Sequence, residues 1–175
     1  MPSVDDLKKQ SLLEWLVDEE LEFVANKLET KTYKAKDSIF KEQEETKGIY
    51  MINKGKVEIK RRLQLDTKTK MLIMLRNISS NEIKHTAAGW EHVFSNLEAG
   101  IFFGELSVVE GRKNHSAEAV ALEDTELFIM SKGVFAELET ESTIILAKLM
   151  KSIAKSASSN LRQLNKRVLK ALIGN

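Results

Sequence analysis

One stretch of the chain groups residues able to hold a small ligand. It runs Phe102-Phe103-Gly104-Glu105-Leu106-Ser107-Val108, then Gly111, then His115-Ser116-Ala117. Gly104 has no Cβ, so the backbone there can approach a bound group closely. A short helical turn over 105–110 would present unpaired N–H groups, which suit an anion. Glu105 is an acceptor that can receive two hydrogen bonds, and His115 is an imidazole mostly neutral at pH 7. Other chemistries are missing. The chain has no cysteine, which removes disulfides, thiolate metal sites and cysteine nucleophiles together. His85, His92 and His115 have no metal-ligand spacing. No nucleophile motif, phosphate loop of the Gly-Lys type or supported carboxylate pair is present. No catalytic residue, metal or cofactor is assigned, and the chain is not expected to be an enzyme.

These residues sit within a run of short strands. Strand patterns occur at 32–35, 38–41, 48–53, 56–63, 70–77, 90–97, 117–122 and 125–131, with Asn53-Lys54-Gly55 as a turn. The polar stretch over 77–89 reads as a loop or hairpin tip. Such an arrangement suggests a roll, jelly roll or sandwich. Before it, 11–29 is helical in pattern, with Asp18-Glu19-Glu20 placed to begin a second helix. After about Gly133 the pattern is helical to the end. Trp15 and Trp90 lie in amphipathic segments and are expected to anchor cores.

The Gly104–Ala117 segment resembles the phosphate-binding cassette of the cyclic-nucleotide-binding domain family, the β-roll of catabolite activator proteins and of regulatory subunits of cyclic-AMP-dependent kinase. Tyr33 to Phe40 resembles the family's early strand pair, Tyr50-Met51-Ile52 and Gly55 to Ile59 its next hairpin, and Ala119 to Met130 its closing strands. The resemblance covers about residues 11–160. It implies a mainly β fold with flanking helices: a double-stranded β-helix, or jelly-roll-like β-roll, with N-terminal helices and a long C-terminal helix. It implies cyclic AMP or cyclic GMP as ligand. The ligand would meet Phe103, Gly104, Glu105, Leu106, Ser107, His115 and Ser116, with Glu105 on the ribose 2′-hydroxyl. Ser158, Ser159 and Asn160 of the long helix are candidate lid contacts, or polar helix surface. The sequence departs from the family at His115, which stands where the family carries an arginine gripping the cyclic phosphate. Arg112 and Lys113 lie near enough to compensate, or are solvated loop charges.

The net charge of +1 conceals an asymmetry. Lys148 to Asn175 holds seven basic and no acidic side chains, leaving 20 basic and 26 acidic in the preceding residues. On that tail Ala147, Met150, Ala154, Ala157, Leu161, Leu164, Val168 and Ala171 recur at alternating steps of three and four, an a/d seam. A homodimer through 147–171 is expected, the alternative being a helix laid back on its own roll. The division is therefore a helical segment 1–31, a β-roll 32–131 and a dimerisation helix 132–175. The absence of a long apolar run or signal-like start points to the cytoplasm. No helix-turn-helix follows the long helix, so specific DNA binding is not expected. Three functions compete: a regulatory sensor that binds a cyclic nucleotide and relays it through the C-terminal helix, with an effector protein as candidate partner; a ligand-free dimerisation or protein-interaction module with a degenerate pocket; and a nucleic-acid-binding protein, which rests only on the charge of the tail.

Overall fold

The computed structural model describes residues 1–75, 83–86 and 89–173. Its elements run α1 (Val4–Leu7), a 3-10 turn (Ser11–Leu13), α2 (Asp18–Ala25), β1 (Glu29–Tyr33), β2 (Ser38–Phe40), β3 (Gly48–Lys54), β4 (Lys56–Arg62) and α3 (Thr67–Leu75). They continue with β5 (Ile83–Thr86), β6 (Gly89–Glu98), β7 (Phe102–Phe103), α4 (Glu105–Val109), β8 (Glu118–Ala121), β9 (Thr125–Ser131), α5 (Lys132–Glu141) and α6 (Thr143–Ile173). One antiparallel sheet has the order β1-β9-β3-β7, the other β2-β8-β4-β6-β5. This is the β-roll with N-terminal helices and a long C-terminal helix that the sequence implies.

Two cores arise from a single period-two pattern. Along β3, Tyr50 and Ile52 point into the roll while Ile49 and Met51 point out under the helices. β9 pairs with it in register, Ile129 opposite Tyr50 and Phe128 opposite Met51. Leu127 and Ile129 therefore join the inner core, and Phe128 and Met130 the outer one. β7 splits the same way, Phe103 inward and Phe102 outward. Strands covered on both faces read as continuous apolar runs. The outer core is roofed by Leu7, Leu12, Leu13, Leu21 and Val24 from the N-terminal segment, Leu138 of α5, and Ile145, Leu149 and Ile153 of α6.

Several expectations need correction. The strand read at 70–77 is the helix α3 through Leu75, residues 76 and 77 lying outside those described. Asp66 starts it: its carboxylate accepts from the Thr69 N–H at 2.7 Å and its carbonyl from the Lys70 N–H. A short apolar run does not distinguish strand from helix, so this cap was the informative signal. Within the loop read at 77–89, Ile83–Thr86 is a strand paired to β6, while 77–82 and 87–88 lie outside the described residues. The helical reading of 11–29 breaks into the 3-10 turn and α2, which begins at Asp18 as expected; the Glu20 carboxylate accepts from the Val17 N–H. β1 starts at Glu29 rather than at residue 32. It is an edge strand with exposed side chains, so it carries no apolar alternation. The C-terminal helical stretch is interrupted at Ser142.

Candidate functional site

Gly104 follows β7 with φ +83°, a left-handed conformation, and a Cβ there would fall 3.1 Å from the Tyr50 ring and 3.2 Å from the Gly48 carbonyl. Only glycine meets both demands. The turn launches α4, whose Glu105, Ser107 and Val108 are buried while Leu106 and Val109 are exposed. Burial pushes the Glu105 carboxyl above its ordinary value, opposed by a hydrogen bond from its own backbone N–H. α4 ends before Gly111, whose φ is +63°.

His115 is fixed from two sides. Its N–H donates to the Glu44 carbonyl at 2.8 Å and its carbonyl accepts from the Gln43 N–H at 2.9 Å. Its ring lies flat on Phe40, centroids 3.6 Å apart. It is 2% exposed, and its Nε2 has no hydrogen-bond partner. Burial lowers its pKa, Lys132 and Lys47 add to that, and Glu44 opposes it. The imidazole is therefore held neutral. Arg112 does not compensate: it pairs with Glu110 and its side chain is largely exposed. Lys113 is exposed as well, and neither lines the cavity described next.

A cavity of about 1250 Å³ opens between the roll and α6. Each of Phe103, Gly104, Glu105, Leu106, Ser107, His115 and Ser116 borders it, so the structure brings the expected cassette residues together. On α6 it is bordered by Ser159 and Asn160 but not Ser158, whose hydroxyl accepts from Arg162 instead.

Sequence reasoning missed part of the wall. β6 contributes His92, Phe94 and Asn96, which read only as strand. Ser152 also borders the cavity, 2% exposed and with an unpartnered hydroxyl. Its signal was legible: a serine on the helix face that otherwise buries Ile145, Leu149 and Ile153. The 3-10 turn adds Ser11, and beyond it comes Glu14, whose carboxylate holds Lys155 at 2.7 Å. Nearby, Lys148 bonds Glu20 at 2.6 Å and the Lys151 ammonium lies 3.5 Å over the Trp15 ring. Trp15 is 39% exposed, a platform for α6 rather than a core anchor. Trp90 is half-buried against His85 on the β5–β6 hairpin, outside both cores. Among the described residues no group of side chains could hold a metal ion, and no helix is long and apolar enough to cross a membrane.

Comparison with known proteins meets the resemblance read from the cassette. Residues 80–142 match the family model of the cyclic nucleotide-binding domain. A cyclic nucleotide-binding domain from Methylobacillus flagellatus KT superposes with TM-score 0.70 at 17% identity, over 98% of this chain and 83% of that one. The catabolite activator protein of Thermus thermophilus gives 0.65 at 21% identity, over 91% of this chain and 62% of its own. The regulatory domain of Toxoplasma gondii PKA, crystallised with cAMP, gives 0.64 at 16% identity, over 89% of this chain and 48% of its own. The chain thus spans less than two thirds of the latter two. A comparison with curated protein sequences returned no match. The chain resembles the cyclic-nucleotide-binding domain family in this segment and carries its fold.

Proposed function

We propose that this chain is a ligand-gated regulatory module, not an enzyme, in which a small molecule enters the cavity between roll and α6 and binding is relayed through α6. The observation that carries this is the cavity itself, which is walled on one side by the cassette and on the other by the α6 face continuous with the buried Ile145, Leu149 and Ile153. An occupant touches both bodies, so it binds two positions of α6 with different affinity, as coupling requires. A cyclic nucleotide there would lean on backbone N–H groups of the 104–107 turn and on Glu105 for its ribose, with His115 or Ser116 beside the phosphate.

The α6 seam supports the partner reading. Ala147, Met150, Ala154, Ala157, Leu161, Leu164 and Val168 are all exposed, on a face distinct from the one α6 buries against its own domain. A second copy of the chain is the matching cover, and an effector protein would read α6 from the same side.

The test is to titrate wild type and His115→Arg with cyclic AMP and cyclic GMP by calorimetry, recording Trp15 emission in parallel. Arginine restores a charge-assisted bidentate contact worth ~1.5–3 kcal/mol, so the variant is expected to bind at least ~10-fold more tightly. Movement of Lys151 off the Trp15 ring should change an emission signal that Trp15→Phe removes. If neither protein binds at millimolar concentration, the cassette is not a nucleotide site and the ligand-free dimerisation module replaces this reading.

A further inference from the structure

α6 meets its surroundings along three stripes, about a third of a turn apart at about 100° per residue. Ile145, Leu149 and Ile153 enter the outer core, and the seam from Ala147 to Val168 is the second stripe. The third carries Lys148, Lys151 and Lys155 on its first turns, then Arg162, Lys166, Leu169 and Ile173. The fold treats the two halves of this third stripe differently.

The first half is clasped by the N-terminal segment. Both oxygens of the Glu20 carboxylate accept from Lys148, at 2.6 and 2.7 Å. Both oxygens of Glu14 accept from Lys155, at 2.7 and 3.0 Å. Between them the Lys151 ammonium lies 3.5 Å over the Trp15 ring. A segment with carboxylates on either side of an aromatic ring thus covers three cations in succession.

The second half repeats the chemistry but stands exposed. From Lys155 to Ile173 the helix runs on for about 27 Å. Arg162 donates to the Ser158 hydroxyl of its own helix at 3.0 Å, and Lys166 is exposed. Leu169 and Ile173 are 55% and 74% exposed and belong to neither core. None of these four side chains borders the cavity. No acidic residue lies on α6, so an acidic complement to this surface comes from outside the helix.

We propose that the distal stripe of Arg162, Lys166, Leu169 and Ile173 is a docking surface for an acidic amphipathic segment of another protein. That segment offers carboxylates flanking an apolar or aromatic side chain, as Glu14, Trp15 and Glu20 do on the first half. Opposite charge steers the encounter, and Leu169 and Ile173, one turn apart, anchor the apolar side. The seam stays open to a second copy, and nothing here depends on a ligand in the cavity. An anionic lipid surface fits less well. A helix in a membrane interface turns a broad apolar face down, whereas this stripe sets cations and apolar side chains in one row.

The full chain is titrated with a labelled peptide of its own residues 11–25, which holds five acidic and no basic side chains, and binding is read by fluorescence anisotropy. The clasp already in place is intramolecular, so the free peptide does not displace it and reports on the distal stripe. Binding is expected, and it should weaken as sodium chloride rises from about 0.01 to 0.15 M. Arg162→Glu combined with Lys166→Glu should weaken it at least ~10-fold, because two attractions become repulsions. Leu169→Ser combined with Ile173→Ser should weaken it about 5-fold through lost apolar contact, and Leu161→Ser on the seam should leave it unchanged. All five positions are exposed, and circular dichroism checks that the variants fold. Vesicles of phosphatidylcholine and phosphatidylserine are titrated in parallel. Absence of peptide binding at high micromolar concentration overturns the proposal, as does binding that the charge reversal does not move. Equal binding of a scrambled peptide overturns it too, since net charge alone would then suffice. Vesicle binding tighter than the peptide's, and lost in the same charge reversal, assigns the stripe to a lipid surface instead.

Discussion

Glu105 and His115 are two cassette residues where burial opposes charge, and each leaves a mark on stability. The folded Glu105 holds its proton more tightly than the ordinary glutamate value of 4.5, because burial penalises the carboxylate. The folded state then binds more protons than the unfolded one, so stability falls as pH rises from 4.5 through the raised value. Glu105→Gln keeps the shape without the charge and is expected to be more stable than wild type at neutral pH and no more stable in acid. Urea melts between about pH 4 and 8 check this, and parallel curves would refute it. His115 has the opposite sign. Its folded pKa lies below the ordinary 6.5, so its contribution is intact above 6.5 and is lost as pH falls toward the lowered value. His115→Phe should flatten that acid limb, which the same melts record. Of the site, the cassette was legible at this scale because Gly104, Glu105 and His115 fall within one short continuous segment. Phe94 was not, because it reaches the cavity only through the closure of the roll, and Ser152 showed only as a serine on the apolar face of α6.

At the scale of elements, β3 is the strand on which both cores depend, and Gly48 is where it admits no side chain. A Cβ at Gly48 would lie 2.1 Å from the Met130 carbonyl oxygen of the paired β9. That atom is backbone within a sheet and cannot yield without parting the two strands. Gly48→Ala is expected to cost about 3 kcal/mol, the upper range for overpacking, and to lower the melting temperature by roughly 6–12 °C. It should also disturb the cassette, since the Gly48 carbonyl sits against Gly104. Unchanged melting by calorimetry would contradict this account. The element pattern also explains what the sequence displayed and what it hid. β3 and β9 announce themselves because every residue of their middle is apolar, and the hairpin at Gly55 because its φ of +94° calls for glycine, whereas β7, two residues long, is too short for a pattern and is not among the strands read from the sequence. β1 was displaced because an exposed edge strand needs no apolar period. α3 was misread because Met71-Leu72-Ile73-Met74-Leu75 is apolar at every step, and only Asp66 upstream separates a helix from a strand. Trp15 was misplaced because an amphipathic pattern does not reveal that its partner is a lysine ammonium.

For the whole molecule, α6 has two faces and one of them is unused by the chain itself. Ile145, Leu149 and Ile153 enter the outer core, while the seam from Ala147 to Val168 lies about a third of a turn away and is exposed. Leu161 is 58% and Leu164 55% exposed. Leu164 also borders the cavity and Leu161 does not, so Leu161→Asp is the variant that separates pairing from ligand binding. It should abolish dimerisation, since a carboxylate would be buried in an apolar seam, and leave ligand titrations intact. The charges on the same helix set the conditions. Residues 148–175 carry seven cations and no anion, so two α6 helices in either orientation bring like charges together. The chain answers part of this internally: Lys148 is neutralised by Glu20, Lys155 by Glu14, and Lys151 rests on Trp15. No acidic residue lies on α6 itself, so the helix keeps a positive charge excess along its length. Apolar contact must therefore overcome residual repulsion, which salt screens with a Debye length of about 30 Å at 0.01 M and 8 Å at 0.15 M. The wild-type chain is expected to associate more tightly as sodium chloride rises over that range, the reverse of a pairing held by ion pairs. Sedimentation velocity at high micromolar concentration reads this directly. A monomer at every salt concentration would remove the dimer, and a dimer loosened by salt would show that its interface lies elsewhere than the seam.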